Sequence, residues 1–181
     1  VYMNERVPNR GVGLDKGIVR VESFSKQWKR FYDDERSRLE AGLVGKSCHI
    51  EHVGSTSVPG LSAKPIIDIA LGISNRSELE HIVPRCVALG YIDCGDMGRD
   101  GGYLLVLESA PGVRTVHLHI VEYNDELWQA YVVFRDALRS DADTLAAYQT
   151  LKQELSVTHS DDRASYTSAK NDFIREILSL N

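Results

Sequence analysis

The sequence has few cysteines, no excess of basic side chains and no long apolar run, and each shortage excludes a class of protein. The 181 residues include three cysteines, Cys48, Cys86 and Cys94. An odd number without metal-ligand spacing argues against a disulfide framework and predicts reduced thiols in a cytoplasmic protein. There are 21 Lys and Arg against 26 Asp and Glu, a net charge of −5. Such a chain cannot neutralise many phosphates at once, so general nucleic-acid binding is not expected. One basic pocket for a small anion remains open. The longest apolar runs, such as Pro65–Gly72, fall far short of the roughly 20 residues that cross a bilayer, so no membrane partner is expected. Val1–Arg20 lacks the apolar core of a secretory leader. There is no internal repeat, and composition leaves the oligomeric state open.

What is present is the balance of an ordinary globule, 43% hydrophobic and 26% charged, at a length that predicts one domain. Val1–Gly17 is aperiodic and reads as an N-terminal arm, with residues 18–181 as the domain. Ile18–Val21 suits a short edge strand. Trp28, Phe31, Tyr32, Leu39 and Leu43 share one face of a helix predicted over Ser25–Leu43, with Glu35 and Arg38 among the charges facing solvent. Strands are expected at Cys48–Val53 and Lys64–Ile73, joined by turn residues Gly54–Gly60. A helix over Arg76–Leu89 is capped by Ser74 or Asn75 and interrupted by Pro84. Tyr103–Glu108 and Arg114–Glu122 read as a hairpin, preceded by a glycine-rich segment, Gly95–Gly102, that suits a lip or a simple turn. Three helices follow, marked by Leu127, Tyr131 and Phe134, by Leu145, Tyr148 and Leu155, and by Tyr166, Phe173 and Ile177. Asn124, Asp141 or Asp143, and Ser160 or Asp161 are their cap candidates. The sum is an α+β (mixed α/β) domain: a small mixed sheet, helices on one face and at its end, and a C-terminal helical tail.

Chemistry concentrates in Ile50–Ile69. Gly54 lets the backbone approach a phosphate closely, and Ser55 and Thr56 add hydroxyl donors. A plain turn is the alternative. Asp68 lies on the next strand among Ile66, Ala70 and Gly72. A carboxylate among apolar neighbours must be paired, capped or bound to a cation. A structural ion pair is the competing reading. Lys64 adds a positive charge. On the later strand, His117 and His119 project to one face. If that strand adjoins the strand of Asp68, two imidazoles face the same pocket as metal ligands or as acid and base. Members of a polar sheet face would look the same. Glu51 is a further possible acid, and His52, on the opposite face, is read as structural.

The run Glu51-His52-Val53-Gly54-Ser55-Thr56-Ser57-Val58-Pro59-Gly60-Leu61-Ser62-Ala63-Lys64-Pro65-Ile66-Ile67-Asp68-Ile69 resembles the signature of the GrpB family. His117-Leu118-His119-Ile120-Val121, Phe134–Arg139 and Tyr166–Lys170 resemble it too. The resemblance implies a nucleotidyltransferase-like fold, a mixed β-sheet with flanking helices, in a family without an established reaction. In active members of that superfamily Gly-Ser is followed by an acid–hydrophobic–acid triplet. Here Gly54-Ser55 and Asp68-Ile69 match, and the second acid is replaced by Ala70. Two facing carboxylates are what hold two magnesium ions over a displaced phosphate.

The expectation is therefore a cytoplasmic protein that binds a nucleotide or other phosphorylated small molecule with a divalent cation. It either transfers a nucleotidyl group to a small acceptor or acts as a non-catalytic binding or folding-accessory module on the same scaffold. Asp68, His117 and His119 are the candidate catalytic residues, and with Glu51 the candidate metal ligands. Gly54, Ser55, Thr56, Lys64, Arg114 and Lys170 are the candidate phosphate contacts. The cation would be Mg or Mn, or Zn, Fe or Ni where the histidines ligate.

Overall fold

A computed structural model describes residues 11–98, 101–159 and 162–180. The first ten residues of the expected arm, Arg99 and Asp100 of the expected lip, and the cap candidates Ser160 and Asp161 lie outside them.

The elements run β1 (Leu14–Asp15), α1 (Lys26–Gly42), β2 (His49–Val53), β3 (Ile67–Ile73), α2 (Leu79–Ala88), β4 (Ile92–Asp96), β5 (Tyr103–Ala110), β6 (Val113–Glu122), α3 (Glu126–Ser140), α4 (Ala142–Thr158) and α5 (Arg163–Leu180). Strand order is β2-β3-β6-β5-β4, with β1 paired to β6 off that path. Among the described strands only β3 and β6 run parallel; the other pairings are antiparallel. The domain is the mixed-sheet α+β fold expected.

The centre of the sheet follows from the period of β3. Ile67, Ile69, Leu71 and Ile73 share a face and are buried under α1 and α2 with Trp28, Leu39 and Ile82. Each such side chain removed from water stabilises the fold by about 1.5–3 kcal/mol. The other face of β3 carries Asp68, Ala70 and Gly72, and its small residues admit α3. A Cβ on Gly72 would lie 2.9 Å from Trp128 Cζ3, and Trp128 packs with Val53, Ala70 and Val121. Helices therefore cover both faces, not one. Beyond the strands, α3, α4 and α5 close on Val58 and Leu61 through Leu138 and Tyr148.

Further details depart from expectation. The edge strand is at Leu14–Asp15, which pairs with Arg114 and Val113 of β6, not at Ile18–Val21, where Ile18 is exposed. Glu35 is buried rather than solvated, held by Arg38 at 2.7 Å and by the hydroxyl of Tyr91. The first turn of the Arg76–Leu89 helix is a separate 3-10 turn, Arg76–Glu78, and Pro84 sits inside α2. Asp125, not Asn124, caps α3, accepting from Trp128 N at 2.7 Å.

Candidate functional site

The turn after β2 is shaped by contact with β3. Gly54 has φ 68°, and a Cβ there would meet Asp68 Oδ2 at 2.5 Å. Glycine is required on both counts. Ser55–Ser57 then forms a 3-10 turn, closed by Ser57 Oγ donating to the Gly54 carbonyl at 2.6 Å. Helix α3 holds the turn from behind. Arg135 Nη1 donates to the His52 carbonyl at 3.1 Å, and Arg139 Nη2 to the Ser57 carbonyl at 2.8 Å. Ser55 is hydrogen-bonded to Tyr148. The Thr56 hydroxyl is turned to His52 Nε2 at 3.0 Å, so it is already engaged. His52 is buried and stacked on Tyr32, and burial pulls its pKa down to about 3, so the structural reading of His52 suits its surroundings.

The parallel register sets Asp68 opposite His117 and Ala70 opposite His119. Asp68 Oδ1 lies 3.3 Å from His117 Nδ1 and 3.5 Å from His119 Nε2. The three ligand atoms fall within 4.8 Å of one another. Burial opposes ionisation of Asp68, but the adjoining imidazoles of His117 and His119 outweigh it and hold the carboxyl well below the usual range. His119 Nδ1 donates to the Gly101 carbonyl at 3.0 Å. A carbonyl only accepts, so the Nδ1 hydrogen is fixed and Nε2 faces the carboxylate. Tyr131 of α3 packs over His119, with ring centroids 5.2 Å apart, and burial and then the Asp68 charge raise its pKa.

These groups open into a cavity of about 440 Å³ between the sheet face and helices α3, α4 and α5. Of the residues singled out from sequence, Gly54, Ser55, Thr56, Lys64, Asp68, His117, His119 and Lys170 all line it. Glu51 does not join the Asp68 cluster. It sits opposite Ala70, and Arg135 Nη1 binds its carboxylate at 2.7 Å. Arg114 does not line the cavity either. It pairs with Leu14 of β1 and alternates with Thr115 and His117, so it belongs to the other face of β6. A second cavity, about 420 Å³, is lined by Arg76, Asp96, Tyr103 and Glu122 and contains none of the expected site residues.

Sequence reasoning missed Lys152, which is buried on α4 and lines the main cavity. The signal was available: Lys152 falls four residues after Tyr148 on the face that carries the core leucines of that helix.

The family model described as GrpB protein matches residues 18–180. The chain belongs to the GrpB family. The glutamate-rich protein GrpB of Alkalihalophilus pseudofirmus is 34% identical over 172 residues, 92% of this chain and 98% of that protein. A UPF0157 protein of Streptomyces coelicolor is 36% identical over 161 residues, 89% of this chain and 83% of that one. The crystal structure of conserved protein GrpB from Enterococcus faecalis is similar at a TM-score of 0.77 and 31% identity, covering 87% of this chain and 94% of that one. The GrpB fold is thus established for this chain, and its cavity is the feature that calls for a function.

Proposed function

We propose that this GrpB-family protein binds a nucleotide or other phosphorylated small molecule in the main cavity, together with one divalent cation. The observation that carries the reading is that the Gly54–Ser55 turn and the Asp68 carboxylate open into the same cavity as Lys64 and Lys170. Its volume, about 440 Å³, is in the range of sites for small ligands. Lysines and a close-approaching glycine suit phosphate oxygens.

Asp68, His117 and His119 are the residues to hold the cation. Their donor set is one carboxylate and two imidazoles, which favours Mn, Zn, Fe or Ni over Mg. His119 is oriented as metal-binding imidazoles are, its other nitrogen donating to the Gly101 carbonyl. A bound cation would supply charge neutralisation for phosphate oxygens.

Binding without nucleotidyl transfer is favoured over catalysis by one further observation. Residue 70 is Ala, and the nearest acid across the strands, Glu51, is neutralised by Arg135. Among the described lining residues the cavity therefore presents one carboxylate, Asp68, where a two-cation mechanism requires more.

The test is a thermal-shift and calorimetry screen of nucleoside mono-, di- and triphosphates with Mn or Mg, combined with an assay for released pyrophosphate. The expected result is stabilisation by at least one nucleotide with Mn, lost in Asp68→Asn, without pyrophosphate. Failure of every nucleotide, and of a panel of sugar phosphates, to bind in the presence of either cation would reject the proposal.

A further inference from the structure

Lys152 is 2% exposed. Lysines are almost never buried so deeply unless paired, because the ammonium loses its hydration. Among the described residues no carboxylate pairs with this one. Its Nζ donates to the Ser62 carbonyl and lies 5.0 Å from the Tyr148 ring centroid. The charges that act on it are two further ammonium groups, Lys170 and Lys64. Both line the same cavity, and both lie over Tyr166, at 4.8 and 5.3 Å from its ring centroid. Three lysines from three chain segments thus converge on the helical side of the cavity, while Asp68 and the histidines occupy the sheet side.

Like charges brought together by a fold are stabilised by a counter-anion. We propose that Lys152, with Lys64 and Lys170, forms an anion subsite apart from the Asp68 cluster, so that the ligand carries a second anionic group, as in a polyphosphate chain, and that filling this subsite makes Lys152 take up a proton. The inference rests on the phosphate-ligand reading of the cavity and adds to it a ligand class and a proton linkage.

Geometry and electrostatics agree on the linkage. Burial, then Lys170 and Lys64, pull the Lys152 pKa down to about 7. An anion beside the ammonium acts in the opposite direction and favours the charged form. The other titratable groups at the cavity are few in kind. Tyr131 of α3, Tyr148 of α4 and Tyr166 of α5 are kept neutral by burial, which raises all three. Arg175 of α5 is exposed and paired with Asp172, and Asp68, His117 and His119 belong to the sheet cluster.

The experiment is calorimetry of inorganic tripolyphosphate binding to the full chain in EDTA, near pH 8, in buffers of different ionisation enthalpy. Wild type is compared with Lys152→Met and Lys152→Arg. Tripolyphosphate's own proton changes are common to all three proteins and cancel in the differences. The expected result is a loss of about tenfold or more in affinity for Lys152→Met. Proton uptake should be larger in wild type than in either variant. Lys152→Met without ligand should melt no lower than wild type, because a structural lysine would be missed and a repelled one is not. Equal affinity and equal proton exchange in wild type and Lys152→Met would overturn the subsite. Failure of the broader reading looks different: tripolyphosphate would bind through Lys152, and no nucleotide would displace it.

Discussion

Gly54 and Asp68 touch across adjacent strands: a Cβ at residue 54 would lie 2.5 Å from Asp68 Oδ2 and 2.9 Å from Asp68 Cβ. The turn that would cradle a phosphate and the carboxylate that would hold a cation are therefore one rigid unit. Gly54→Ala is expected to destabilise the protein by about 2–4 kcal/mol, the sum of left-handed strain and overpacking. Gly60 is the control, with φ +82° and nothing within 4 Å of its Cβ position. Gly60→Ala should cost only about 1 kcal/mol. Urea unfolding of both variants measures the difference, and equal losses would mean that Asp68 moves aside freely.

The cation prediction separates the two imidazoles from a simple polar sheet face. Wild type dialysed against Mn or Zn should retain one ion per chain by elemental analysis. Asp68→Asn, His117→Ala and His119→Ala should each weaken retention by about tenfold or more. Circular dichroism should show the fold kept in all three. Retention of metal by all three variants would place the ion elsewhere.

Much of this site was readable because a strand has a period of two. That period put His117 and His119 on one face of their strand and Asp68 on the face of β3 shared with Ala70 and Gly72. Their meeting depended on something no period reports, the parallel register that sets Asp68 against His117. Alternation likewise put Glu51 on the right face, yet its charge is taken by Arg135, 84 residues away in sequence. Strand β4 escaped notice because Ile92-Asp93-Cys94-Gly95-Asp96 has two acids and a glycine, and its pairing shifts register between Asp93 and Gly95. Lys152 was hidden by the rule that lysines face water, which fails where a buried cavity supplies the exception.

Arg135 ties α3 to the turn more through backbone than through charge. It donates to the His52 carbonyl at 3.1 Å and to Glu51 at 2.7 Å, and is itself 8% exposed. Glu51 is 43% exposed at its side chain, so water screens its half of the pair. Arg135→Met should therefore destabilise by about 2–3 kcal/mol through the orphaned buried carbonyl and lost packing. Glu51→Gln should lose no more than about 1 kcal/mol. Equal losses in chemical unfolding would assign the anchoring to the ion pair.

His52 gives a pH dependence whose sign follows from its burial. Its pKa falls from 6.5 to about 3 on folding, because burial disfavours the imidazolium. Between those values the unfolded chain binds the extra proton, so stability is fully present above pH 6.5 and falls as the solution is acidified. One such group contributes a slope of up to about 1.4 kcal/mol per pH unit. Acid-range carboxylates such as Asp68 and Asp96, whose pKa values are lowered in the fold, also remove stability on acidification, so the total slope is not diagnostic. The difference between wild type and His52→Gln is, since glutamine retains a partner for Thr56 without titrating. Unfolding free energies from pH 7 to pH 4 should converge for the two proteins as pH falls, and parallel lines would mean that His52 is protonated in the fold.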